Sequence, residues 1–172
     1  MIATALLATS LVAVAQLFAM ATRANVNART STFATVLAQQ KMEQLRGLAW
    51  GSDGSNNPVS DHQTNLAVTP PASTGGPGLS PSPASALIRS TTGYVDYLDP
   101  AGTWVGTAAT PVPGTLYVRR WSVTPLTEDP ANTLVLQVVV ARIWNRGAAD
   151  AGGGARLPGE VRIVSIKTRR YQ

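Results

Sequence analysis

The side chains in this 172-residue chain that could do chemistry are few and scattered. The only histidine, His62, sits between Asp61 and Gln63 in a stretch rich in Ser, Pro, Asn and Thr. A Ser-His-Asp set needs a rigid frame to hold its members within hydrogen-bond reach, and that stretch supplies none; His62 reads as a solvated loop residue. Cysteine is absent, so no disulfide, thiolate metal site or sulfur nucleophile is possible. Asp53, Ser55 and Asn57 alternate oxygen ligands as the start of a calcium loop does, but no distant Glu closes the set. An Asx-type turn is the expectation there. Glu128 and Asp129, just before Pro130, read as turn residues, not a general acid–base pair. Gly152-Gly153-Gly154-Ala155-Arg156 lacks the Lys-Ser/Thr of a phosphate loop. Trp104, Trp121 and Trp144 are expected to fill the core and not to form a stacking platform. No catalytic, cofactor or metal residue is assigned, and the expectation is a protein that is not an enzyme.

The elements around these residues are more informative. Charged residues are only 13% of the chain and hydrophobic residues 44%, with the apolar excess at one end. The net charge is +5, and 12 of the 14 cations are Arg. These cations are dispersed and accompany no nucleic-acid motif, so they read as a mixed solvated surface, and direct nucleic-acid binding is not expected.

Residues 1–22 carry no charge, no Gly and no Pro. About 20 such residues are long enough to cross a hydrocarbon core. Thr4, Thr9, Ser10 and Gln16 make this run less apolar than a strong anchor. The helical pattern continues past Arg23: to Trp50 there is no Pro, and the only Gly is Gly47. Val26, Phe33, Leu37 and Leu48 fall on one face of a 3.6-residue helix, which predicts that they pack helix on sheet. Lys41, Glu43 and Arg46 read as a solvated helix terminus, and Gly47 with Gly51-Ser52-Asp53-Gly54 as the stop. One helix over residues 1 to about 49 would extend roughly 70 Å. Small and apolar residues in its first half, Ala5, Ala8, Val12, Ala15, Phe18 and Ala19, would let other helices approach closely. Three other readings compete, the last of them a buried core helix, for which the length is excessive. Ala19-Met20-Ala21 is a small-x-small triplet of the sort a signal peptidase accepts, although no Lys or Arg precedes the apolar run. A simple single-span anchor is the second.

Residues 51–86 read as a Gly/Pro/Ser-rich loop, with one short strand or turn near Leu66-Ala67-Val68. Strands are then expected at Thr92–Tyr97, Thr103–Val105, Thr115–Thr124, Thr133–Trp144 and Val161–Arg169. Tyr117, Trp121 and Val123 mark a core face, with Arg119 read as an edge exception. The near-continuous Val/Leu run from Thr133 fits a central strand buried on both faces. The predicted class is α+β: a long N-terminal helix laid on a small C-terminal antiparallel sheet, residues 87–172, with the apolar half of the helix projecting.

A helix ending in Leu37-Ala38-Gln39-Gln40-Lys41-Met42-Glu43-Gln44-Leu45-Arg46 resembles the corresponding segment of the type IV pilin-like family, which includes minor pilins and type II secretion pseudopilins. The strands Tyr117–Val123, Val135–Val140 and Val161–Ile166 are similar to the sheet of its V-type and I-type members. The resemblance implies a structural subunit of a type IV pilus or type II secretion pseudopilus. It implies a helix held in inner-membrane lipid and then packed among other pilin-like subunits, a periplasmic or exterior head, and no cofactor. The family's N-terminal signature, a Gly cleavage point followed by Phe-Thr-Leu-Ile-Glu, is not found here. Met1–Leu7 looks like the stretch directly after that Glu, so either the cleavage site and methylated N-terminus lie upstream or the protein has lost this processing; the first is the expectation. The alternative from another class is a single-span, membrane-anchored or secreted periplasmic binding module.

Overall fold

The computed structural model describes residues 2–55, 57–61, 78–143 and 159–171. With no Pro to break it and its one Gly as last residue, the first segment runs as a single helix, α1, Ile2–Gly47. Its hydroxyls turn inward on the helix itself. Ser10 donates to the Leu7 carbonyl (2.8 Å), Thr22 to Phe18 (2.8 Å), Thr30 to Val26 (2.8 Å) and Thr32 to Ala28 (3.0 Å). Polar groups are thereby satisfied without interrupting an apolar surface.

Among the described residues eight strands follow: β1 Trp50–Ser52, β2 Pro58–Ser60, β3 Val95–Leu98, β4 Trp104–Gly106, β5 Tyr117–Pro125, β6 Thr133–Arg142, β7 Val161–Thr168 and β8 Arg170–Tyr171. Five of them form an antiparallel sheet in the order β4-β3-β5-β6-β7. The fold is therefore α+β, a long N-terminal helix packed on a small antiparallel sheet. Period-2 alternation decides the faces. Tyr117, Trp121 and Val123 of β5 with Leu134, Leu136, Val138 and Val140 of β6 point toward α1 and make the main core. A second cluster, Val95, Tyr97, Val118 and Ala141, lies apart from it.

The helix meets this sheet through Ala34, Leu37, Ala38, Lys41, Met42 and Leu45, all buried, at spacings of three and four. Phe33 and Leu48 pack against the same core half-buried. Val26 does not join them. It is 53% exposed, because it stands eight residues, about 12 Å of helix, before Ala34 and so beyond the sheet. Sharing a stripe is not sharing a contact when the covering layer is short. Lys41 also departs from expectation: it is a core residue and not part of a solvated terminus.

Residues expected as loop contain two short strands. β1 pairs antiparallel with β2 and parallel with β8, Gly51 opposite Arg170 and Ser52 opposite Tyr171. A Cβ at Gly51 would stand 2.6 Å from the Arg170 carbonyl oxygen, so the pairing depends on glycine there. The place expected for a short strand, Leu66-Ala67-Val68, lies outside the described residues, as do His62 and Trp144. Trp121 is fully buried, and Trp104 is half-buried against the main core.

Candidate assembly surface

Among the described residues, the first half of α1 has no other element packed against it. Leu7, Leu11, Val12, Val14, Leu17, Phe18 and Met20 are each more than half exposed, Phe18 at 75%. No described side chain between Ala3 and Arg29 is buried. A helix advances about 100° per residue, so Val12, Leu17 and Phe18 point to three different sides. A helix apolar all round is stable only when surrounded, by lipid or by other helices. Of the expected packing residues, Val12, Ala15, Phe18 and Ala19 are exposed. The spacings of three and four put Ala5, Ala8, Val12, Ala15 and Ala19 on one stripe; the side chains of Ala5 and Ala8 lie outside the described set. Among the described residues, no helix is long and apolar enough to cross a membrane.

What aims this surface is the grip of the head on the second half of α1, and the grip has a polar centre. Asp96 of β3 is buried and carries all its described contacts on Oδ2. That oxygen accepts from Arg119 Nη2 at 2.7 Å and Nε at 3.1 Å, and meets Lys41 Nζ at 3.1 Å. Arg119 spends its remaining reach on the helix, donating from Nη1 to the Leu37 carbonyl (3.1 Å) and to Gln40 Oε1 (3.4 Å). Lys41 Nζ lies 3.8 Å from the centroid of the Trp121 ring, a cation–π contact. Arg119 is thus the bridge between sheet and helix, not an edge exception. The lysine was readable only as one of three charges near the end of a helix, and no spacing rule links it to an aspartate on β3.

Two cations share one carboxylate in this cluster. Burial lowers the Lys41 pKa from 10.5 to about 8; Asp96 opposes the shift and the Arg119 charge adds to it. The end of α1 is held differently: Lys167 of β7 donates to the Arg46 carbonyl at 2.6 Å, a cation at the negative end of the helix. Burial, then the charges of Arg170 and Arg46, pull the Lys167 pKa down, and Asp61 works against them.

The remaining candidates for chemistry sit in turns. Asp53 Oδ1 accepts from the Ser55 and Asn57 amides at 2.9 and 2.8 Å, an Asx turn; the Asn57 backbone bond, then its side chain, draw the Asp53 pKa down. Asp129 accepts from Asn132 and Thr133 inside the β5–β6 turn. Among the described residues no group of His, Cys, Asp or Glu converges as a metal site. No family model, curated protein or solved structure matches the chain.

Proposed function

We propose that this chain is a minor pilin or pseudopilin, a structural subunit that joins a helical filament by packing its apolar helix half among the helices of similar subunits. The supporting observation is one unbroken helix with two fates: residues 30–47 lie against the sheet, and the residues before them, uncharged up to Thr22, stand clear of it. Such a helix suits a subunit stored in the inner membrane with its head in the periplasm and later extracted. Thr9, Ser10 and Gln16 weaken its hold on lipid, which an anchor meant to leave the bilayer requires. Alanines on its face permit close helix approach. On this reading the protein performs no chemistry and takes no cofactor.

The absence of native cysteine makes the test clean. Single substitutions Val12→Cys, Ala15→Cys and Phe18→Cys, introduced in the source cell, should crosslink to other proteins that carry long N-terminal helices. Gln39→Cys on the exposed side of the clasped half should do so far less. A chain that crosslinks to nothing, or is recovered alone with a small ligand, would instead support the anchored binding module.

A further inference from the structure

The five-stranded sheet ends on two edges, and they are not alike. β4 is three residues long, whereas β7 runs for eight, Val161–Thr168. β7 pairs with β6 along its whole length, and among the described residues nothing pairs with its other side. A long open edge is a template for another strand. Two of its outward side chains, Val164 and Ile166, are aliphatic and 56% and 63% exposed. The segment 161–171 also carries Arg162, Lys167, Arg169 and Arg170 and no acid. Lys167 uses one ammonium donor on the Arg46 carbonyl, which leaves two for a ligand.

The charge decides the occupant. Two β7 strands paired antiparallel in full overlap would set Arg162 of one against Lys167 of the other at both ends, like charges face to face. Nor can another described strand of the chain answer the charge: their only acid is Asp96, which is fully buried. In that register the cations oppose pairing between copies, while the edge hydrogen bonds and the aliphatic pair stay available to a strand of opposite charge. A groove of about 660 Å³ continues the site past Ile166, lined by Arg46, Trp50, Lys167 and Arg170. Its two acids are already engaged, Glu43 by Arg46 and Asp53 by its own turn.

We propose that the edge of β7, unpaired among the described residues, is a strand-addition site for an extended acidic segment of a different protein. The inference is independent of filament membership.

The test uses the full chain in detergent micelles and an eight-residue β-prone peptide with glutamates at its second and seventh positions. In the overlapped antiparallel register these face Lys167 and Arg162. Affinity is read by fluorescence anisotropy and location by hydrogen exchange. The peptide should bind and slow exchange within 161–168. The same peptide with lysines for the glutamates should bind at least about tenfold more weakly. N-methylation at alternate amides, which keeps the charge but removes strand donors, should abolish binding. The double variant R162E/K167E should reverse the charge preference. Equal binding of the glutamate and lysine peptides, full binding of the N-methylated one, or no protection of β7 at millimolar peptide would each overturn the proposal. The peptide arms act on the unaltered chain and decide the matter even if the double variant does not fold.

Discussion

At the residue scale the cluster of Lys41, Asp96 and Arg119 ties the helix to the sheet. Taking Asp96 away leaves two buried cations with no counter-charge, whereas taking Lys41 away leaves a neutral pair. Asp96→Asn should therefore cost about 3–5 kcal/mol in denaturant unfolding, while Lys41→Met should be neutral or stabilising by ~1–4 kcal/mol. Equal losses in the two variants would refute the assignment of Asp96 as the shared counter-ion. The same site fixes a pH dependence. Below about pH 8 folded and unfolded chains both hold the Lys41 proton, and the cost of the buried charge is fully present. Between about 8 and 10.5 the unfolded chain binds more protons than the folded one, so this contribution makes stability rise with pH. The total gain is on the order of 3 kcal/mol. The Asp96 carboxylate and the Trp121 ring lie against the ammonium, with the Arg119 charge beside them. Thermal melts should show wild type gaining on Lys41→Met as pH is raised from 7.5 to 10; parallel curves would show that Lys41 keeps an ordinary pKa. None of this was legible in the sequence. Charge type and helical spacing placed Lys41 on a solvated end, because the partner that makes burial tolerable arrives from a strand far along the chain.

At the scale of elements, much was legible. The absence of Pro and Gly defined α1, and alternation or near-continuous Val and Leu located β5, β6 and β7 within a residue or two at most ends. The small sheet β2-β1-β8 was not legible. Strands of two or three residues carry no period, and the β1–β8 pairing joins opposite ends of the chain. Stripe arithmetic found Phe33, Leu37 and Leu48 but overran to Val26, since periodicity tells direction around a helix and not where the opposing layer stops. The 99–103 turn shows how tightly the layers are fitted. Gly102 has φ +84°, and a Cβ there would lie 2.9 Å from Leu37 Cδ2 and 3.2 Å from Phe33 Cζ. Gly102→Ala should lower stability by about 1–3 kcal/mol through both strain and overpacking. An unchanged unfolding midpoint would mean that the turn does not press on the helix. Removal of residues 1–22, by contrast, takes away no buried described side chain. The remaining chain should stay soluble and unfold within a few degrees of the full chain; a molten product would show that the head depends on the apolar half.

At the scale of the molecule, a rod is joined to a head. α1 spans roughly 70 Å, and only its second half has a sheet beside it. Assembly by helix packing requires the first half to be aimed by the second. A flexible break near residues 20–30 would disconnect the projecting apolar surface from the cluster that holds the head. The helix-on-sheet architecture could be anticipated from the order of patterns along the chain. The use of the projecting half is a different matter, because what surrounds a helix apolar on every side is not written in that helix.

The most direct measurement is the distance between spin labels on Ala13→Cys and Gln39→Cys in the full chain, by pulsed electron resonance. Both positions are exposed, and no native cysteine competes for the label. A continuous rod puts 26 residues of helix, about 39 Å, between the two backbones and gives one narrow distribution. A broad distribution, or one centred well short of that length, would mean that the two halves move separately and would contradict the account.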